Sequence, residues 1–117
     1  MTNMSINIAR DYSAAPGGRY VKDGKFSGEE FREKVLGPKL KTALRSNDTV
    51  EVDLDGTYGF SSSFLDEVFG GLVRDLGIPR ATLDKHLIIL ANSEHSKLYR
   101  ALALRYIEEA SKQIRVT

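Results

Sequence analysis

Three consecutive serines, Ser61, Ser62 and Ser63, lie between an alternating segment and an apolar pattern of helical spacing. A serine at a helix start can accept a hydrogen bond from a backbone N–H group, and a serine hydroxyl can also be phosphorylated. Ser63 and Asp66 have the spacing of a capping box. Because a cap needs only one hydroxyl, the sequence predicts a surplus hydroxyl at this helix start.

Two aspartates just before the serines offer a different chemistry. Asp53 and Asp55, within the segment VDLDGT, resemble the DxDGT element of haloacid-dehalogenase-type phosphohydrolases. That resemblance implies a nucleophilic Asp53, an acid/base Asp55 and a Mg²⁺ ion. However, no acidic pair follows a later strand, and Asp53 alternates with Val52 and Leu54 as a polar residue on a sheet face does. A magnesium-dependent phosphohydrolase is therefore the alternative to a non-enzymatic function.

Composition excludes several other classes of site. The chain of 117 residues has 17 Lys+Arg and 16 Asp+Glu, and a net charge of +1 argues against a nucleic-acid partner. It has no Cys and two His, which excludes thiolate nucleophiles, disulfides, iron–sulfur clusters and zinc sites with Cys or three His ligands. We therefore expect no cofactor and no metal.

Targeting signals are also not evident. Residues 1–10 lack the apolar stretch of a secretory signal, and the longest apolar run, Leu87 to Ala91, is too short to span a membrane. The lack of cysteine is compatible with a reducing compartment. These features predict a cytoplasmic protein without a membrane partner.

The first half of the chain predicts a strand, a hairpin and a helix. Ser5 to Arg10 alternates weakly, as a first strand does. Asp23-Gly24 favours a type I′ turn and predicts a short hairpin within Arg19 to Phe26. Ser27 followed by Glu30 matches a capping box, so a helix should begin there, and Gly37-Pro38 should interrupt it.

The second half repeats the order of strand and helix twice. Val50 to Gly56 alternates, and the helix after the serines should end at Gly77. The continuous apolar run Leu87 to Leu90 predicts a strand covered on both faces, and Ser93 should cap a last helix that ends near Gln113.

The element order is βαβαβα, which predicts one α/β domain over residues 1–117. Its sheet should be mostly parallel, with about four strands and three or four helices. Gly70 and Gly71 lie inside a predicted helix, where two glycines cost about 2 kcal/mol relative to alanines. Close packing of that helix against the sheet should offset the cost.

The segment DLDGTYGFSSSFLDEVFGGL, preceded by GGRYVKDGKFSGEEFRE, is similar to the prokaryotic STAS-like family of unknown function. It is more distantly similar to STAS domains such as anti-sigma-factor antagonists. The resemblance covers about residues 17–76 and implies a STAS-like sandwich that acts as a non-enzymatic signalling or regulatory module. In STAS antagonists, a serine that opens a helix is phosphorylated by a kinase of histidine-kinase-like ATPase fold. The resemblance therefore implies such a kinase/ATPase as the protein partner.

Carried over by position, the resemblance implies that Ser62 is the phospho-acceptor, with Ser63 next to it. Ser61 stands where the antagonists have Asp, and Phe64 stands where a Gly usually follows. The implied partner-binding surface is the loop and helix start, comprising Asp55, Gly56, Thr57, Tyr58, Gly59, Phe60 and Phe64.

The last predicted helix carries a second surface of interest. Leu104 and Ile107 widen its apolar arc beyond what one packed face needs. This width predicts a surface for a partner or for self-association, so a homo-oligomer is compatible with the sequence.

Overall fold

A three-stranded parallel sheet organises the molecule. The computed structural model describes residues 4–116, with side chains described as far as Gln113. The strands β1 (Met4–Asn7), β2 (Val50–Asp53) and β3 (Leu87–Leu90) pair in the order β1-β2-β3. Both pairs are parallel, so all three strands end at the same edge of the sheet. The α/β class is confirmed, and the predicted fourth strand is not among the described residues.

Five helices, rather than the three or four predicted, accompany the sheet in the described part of the chain. Helix α1 (Ile8–Asp11) follows β1 directly, so the first strand ends at Asn7 and not at Arg10 as predicted, and α4 (Arg80–His86) precedes β3. Helix α2 covers 28–46 as three consecutive segments, Gly28–Phe31, Arg32–Leu36 and Gly37–Ser46. Helix α3 covers 62–74 as Ser62–Leu65, Asp66–Gly70 and Gly71–Arg74. The middle segment of each is π-helical, and α5 (Glu94–Val116) closes the fold.

The sheet buries one face and exposes the other. Ile6, Val52 and Ile89 share one register and belong to the core that the helices cover. The alternate residues face the opposite side, where Ile88 is 39% exposed and Leu90 is 37% exposed. The prediction that β3 is covered on both faces is therefore wrong. A continuous apolar run cannot reveal its exposed face, because only alternation with polar residues marks that face.

Helix α2 begins as predicted but is not interrupted. The Ser27 hydroxyl accepts a hydrogen bond from the Glu30 N–H group at 3.1 Å, which confirms the N-cap. The helix continues through Gly37-Pro38 because its π-helical turn lets the Gly37 N–H group bond to the Arg32 carbonyl, five residues back. A widened turn before Pro38 adapts the helix to a residue that has no N–H group.

The predicted hairpin within residues 19–26 is wrong. Val21–Asp23 is a 3-10 turn, followed by Gly24 at a φ of 129°. The backbone before the turn bonds to the start of α2, with the Gly28 N–H group donating to Gly18 O at 2.9 Å and the Glu29 N–H group donating to Arg19 O at 2.9 Å. These longer-range bonds replace the strand pairing that Asp23-Gly24 suggested.

The later helix boundaries follow the sequence closely. Gly77 has a φ of 68°, and Ile78 N–H bonds back to Leu72 O at 3.0 Å, so a left-handed glycine ends the turn after α3 as predicted. Ser93 caps α5 by accepting from Ser96 N–H at 3.1 Å. No helix within residues 4–116 has both the length and the apolarity needed to cross a membrane.

Candidate functional site

The loop that joins β2 to α3 lies at the carboxyl edge of the sheet and is held at several points. Asn7 Nδ2 donates to Asp55 O at 3.2 Å, and Tyr58 N–H donates to Ala14 O at 2.8 Å. Gly59 has a φ of 151°, and a Cβ there would lie 3.1 Å from the hydroxyl oxygen of Tyr99. A side chain at this position would therefore both strain the backbone and crowd α5.

A cluster of aromatic side chains fixes the end of the loop to the core. The Phe60 ring packs on Phe64 at a centroid distance of 5.6 Å and on Tyr99 at 5.2 Å. The Phe64 ring in turn lies 6.1 Å from Phe31 of α2. Phe60 and Phe64, which the resemblance implied as partner-binding residues, thus lie in the core and stabilise the loop. The part of the implied surface that remains accessible is Asp55, Gly56, Thr57, Tyr58 and Gly59.

The three serines have different environments. The Ser61 hydroxyl accepts from Phe64 N–H at 3.0 Å and donates to Gly17 O at 3.2 Å, so Ser61 is the N-cap of α3. Ser62 is exposed and Ser63 is half-buried, and neither side chain hydrogen-bonds to a residue that the structure describes. The predicted pair of Ser63 and Asp66 does not form, because Asp66 bonds to Arg19 and Arg74 instead.

Asp55 joins the loop to the start of α5. Its carboxylate accepts from Asn92 N–H at 3.0 Å and from Ser93 N–H at 3.2 Å. Hydrogen bonds from the Ser96 side chain and from these backbone groups outweigh desolvation and lower the pKa of Asp55 to about 2. The carboxylate is therefore ionised at neutral pH and bound to the positive end of a helix.

The two aspartates of the DxDGT-like segment serve separate local roles. Asp53 lies on the exposed face of the sheet, and its Oδ1 accepts from the Asp55 N–H group at 2.9 Å. The Asp55 carboxylate is occupied by the start of α5. Within the described residues, no three His, Asp or Glu side chains are grouped so that they could hold a metal ion. The geometry therefore provides no support for the magnesium-dependent alternative.

A buried ion pair fixes the helix that carries the serines. Arg32 of α2 is 4% exposed, and its Nη1 donates to both the carbonyl and the Oε2 of Glu67 of α3, each at 2.6 Å. Arg19 contacts the other carboxylate oxygen of Glu67 at 3.3 Å. Both residues of the buried pair lie in π-helical segments, so the two widened turns face each other.

Gly70 and Gly71 make room for this network rather than for the sheet. A Cβ on Gly71 would collide with the Arg32 guanidinium, and a Cβ on Gly70 would lie 2.7 Å from Asp66 Oδ1. Burial tends to raise the pKa of Asp66, but hydrogen bonds from Arg19 and Arg74 outweigh this effect and lower it. The prediction that the two glycines pack against the sheet is therefore wrong. They pack against arginine side chains. The only sequence signal of the network was the glycine pair inside a helix.

The different roles of the serines predict different effects of alanine. Ser61→Ala should lower the free energy of unfolding by about 1 kcal/mol, because it removes the N-cap of α3. Ser62→Ala is the matched control and should change it little, because its hydroxyl bonds to no described residue. Urea unfolding measures both changes. Equal losses in the two variants would contradict the assignment of the cap.

The low pKa of Asp55 predicts a pH-dependent contribution to stability. The folded pKa of about 2 lies below the ordinary value of 3.8, so the contribution is complete above about pH 4 and is lost as the pH falls through about 2. Asp55→Asn should cost about 1–3 kcal/mol at neutral pH, because two backbone N–H groups lose a charged acceptor. The difference in the free energy of unfolding between Asp55→Asn and the wild type should become smaller in acid.

Asp84→Asn is the control for this pH profile, because the Asp84 side chain is exposed and has no hydrogen bond to the residues described. Unfolding by urea at several pH values distinguishes the variants. A difference between Asp55→Asn and the wild type that stays constant down to about pH 2 would show that the carboxylate charge is not responsible.

The buried ion pair predicts a large effect from a single substitution. Arg32→Met should lower the free energy of unfolding by about 3–5 kcal/mol, because Glu67 stays buried without its closest partner. Arg32→Met combined with Glu67→Leu should be less destabilising than Arg32→Met alone. Arg105→Met removes an exposed pair with Glu109 and should cost less than about 1 kcal/mol. Additive losses in the double variant would contradict the coupling.

Comparison with known families agrees with the resemblance seen in the sequence. A family model described as a STAS-like domain of unknown function (DUF4325) matches residues 27–97, which is more than half of the chain. The match includes β2, the loop, the serines and β3, and the three-stranded α/β fold is consistent with it. No curated protein and no solved structure matches the chain. The chain belongs to the family of STAS-like domains of unknown function.

Proposed function

We propose that this STAS-like domain is a non-enzymatic regulatory module that binds a protein partner through its β2–α3 loop and is switched by phosphorylation of Ser62. The observation that carries the proposal is the state of the Ser62 hydroxyl. It is exposed at the first residue of α3 and bonds to no described residue, while Ser61 provides the cap. A kinase can therefore modify Ser62 without removing a bond that stabilises the fold.

The charges around Ser62 favour such a switch. A phosphate adds about −1.5 to −2 charges and three acceptor oxygens, which a helix start tolerates because of its free N–H groups and its dipole. Asp66 is paired with Arg19 and Arg74, and the ionised Asp55 carboxylate is bound by backbone N–H groups. The phosphate would add its charge to that of Asp55 at the loop, and it would repel an acidic patch on the partner.

Tyr58 suits the role of an anchor for the partner. Its side chain is 92% exposed, and the loop that carries it is held by the Tyr58 N–H bond to Ala14 O and by the fixed position of Asp55. An aromatic side chain on an ordered loop loses little conformational entropy on binding, and tyrosines are frequent in the centre of protein interfaces. The proposed partner offers an apolar pocket for this ring.

The proposed partner is a cytoplasmic kinase/ATPase of histidine-kinase-like fold, as for the STAS antagonists that the sequence resembles. Such an enzyme would both bind the loop and transfer the γ-phosphoryl group of ATP to the Ser62 oxygen. The hydroxyl proton leaves and ADP is released, so the domain itself supplies only the acceptor and the docking surface.

A phosphorylation assay with matched variants tests the proposal. Wild type, Ser62→Ala and Ser63→Ala are incubated with a histidine-kinase-like ATPase and ATP, and the modified residue is located by peptide mass spectrometry. Ser62→Ala should abolish the modification, and Ser63→Ala should retain it. Modification of another residue, or of none with every such ATPase from the host, would contradict the switch.

Binding to the same ATPase is then compared for Ser62→Asp and the neutral control Ser62→Asn. Ser62→Asp should weaken binding at least about tenfold, which corresponds to about 1.4 kcal/mol, while both variants keep the melting temperature of the wild type. Isothermal titration calorimetry and thermal unfolding measure the two quantities. Equal binding by the two variants would show that charge at Ser62 does not control the partner.

A further inference from the structure

Arg19 lies beside the first turn of α3, the turn that begins with Ser62. The backbone that carries Arg19 is fixed at two points. The Ser61 hydroxyl donates to Gly17 O at 3.2 Å, and the Arg19 carbonyl accepts from an N–H group in the first turn of α2 at 2.9 Å. The guanidinium of Arg19 donates from Nη1 to Asp66 Oδ2 at 2.8 Å. The segment from Gly17 to Arg19 therefore follows α3 from its cap to Asp66.

Ser62 and Asp66 lie on the same face of α3. The Asp66 N–H group bonds to Ser62 O, four residues back, so this turn is α-helical and the two side chains are one turn apart. Cβ atoms at this spacing are about 5–6 Å apart. Helical side chains also lean toward the N-terminus, so the Asp66 carboxylate, with Arg19 on it, lies toward the turn that carries Ser62. A phosphate on Ser62 would be within reach of Arg19.

Arg19 can leave its present partners without leaving a carboxylate unpaired. Among the carboxylates that the structure describes, only Asp66 and Glu67 form ion pairs with Arg19. Glu67 is bound more closely by Arg32, at 2.6 Å against 3.3 Å for Arg19. Asp66 also has Arg74, whose Nη1 lies 3.0 Å from Oδ1. Each carboxylate thus has a second arginine, so Arg19 is the cation that a phosphate can most readily take over.

The surroundings of Arg19 leave room for this change. A polar cleft of about 580 Å³ is lined by Arg19, Asp66 and Arg74, among other residues. The Arg19 side chain is 29% exposed, so its guanidinium can turn toward Ser62 while its backbone stays bonded to α2. A phosphate carries about −1.5 to −2 charges, and its oxygens match the two-pronged geometry of a guanidinium. It therefore competes well with a carboxylate for Arg19.

We propose that, once Ser62 is phosphorylated, Arg19 leaves Asp66 and Glu67 and binds the phosphate. This inference rests on the proposed function, because it concerns the phosphorylated state of Ser62. Arg19 then fixes the phosphate on the first turn of α3, next to the β2–α3 loop. Since Arg19 gives up its contact with the buried Glu67, phosphorylation changes the shape of this surface as well as its charge.

Phosphorus NMR of the full chain tests the role of Arg19. Phosphoserine is incorporated at position 62 during protein synthesis, and the second pKa of its phosphate, which is about 6 in a flexible peptide, is measured. A neighbouring guanidinium favours the dianion and lowers this pKa, so Arg19→Gln should raise it by at least about 0.5. Arg74→Gln is the matched control, because Arg74 pairs with the same carboxylate and is 28% exposed. It should raise the pKa less than half as much.

An unchanged phosphate pKa in Arg19→Gln, or an equal rise in Arg74→Gln, would overturn the proposal. A second measurement needs no variant that could fail to fold. In the phosphorylated wild type, the Arg19 Nε–H resonance should follow the titration of the phosphate, and the Arg74 resonance should shift less. An Arg19 resonance that does not respond would also overturn the proposal.

The two proposals fail separately, because the phosphate is introduced without a kinase. A negative kinase assay contradicts the proposed switch alone. An unchanged phosphate pKa overturns the role of Arg19 alone.

Discussion

The ion pair between Arg32 and Glu67 is the constraint on which the arrangement of the helices depends. Two charges removed from water are costly unless they meet in good geometry, and here Arg32 Nη1 reaches both the carboxylate and the carbonyl of Glu67. The contact requires that α2 and α3 approach closely, and it requires Gly71, where a Cβ would collide with the guanidinium. The π-helical segments at both residues fit this requirement, since a widened turn changes the direction of the side chains around it.

The Asp55 carboxylate fixes the position of the β2–α3 loop. It accepts hydrogen bonds from the N–H groups of Asn92 and Ser93, directly before α5, so the end of β2 and the start of α5 are joined by charge and hydrogen bonding. The aromatic contact between Phe60 and Tyr99 adds an apolar connection between the same two elements. With both ends of the loop held, Tyr58 and Ser62 project from an ordered support. The proposed binding of a partner would cost little conformational entropy at a surface that is already ordered.

Several elements could be predicted because their signals are local. The caps at Ser27 and Ser93 depend on residues three positions away, and the end of α3 depends on Gly77 close behind it. Predictions failed where the deciding contacts are distant. The turn near Gly24 bonds to the start of α2 instead of forming a hairpin, and the exposed face of β3 depends on where the helices pack.

The sequence by itself determined the α/β class, the family, most helix starts and the presence of more serine hydroxyls than one helix cap can use. Only the tertiary structure decided that Ser61 is the cap, that Asp55 binds α5, and that Arg32 is buried against Glu67. The physical reason is the distance along the chain. Caps and turns form between neighbouring residues, whereas Arg32 and Glu67 are 35 residues apart and Asp55 and Asn92 are 37 apart, so their pairing exists only once the helices have packed on the sheet.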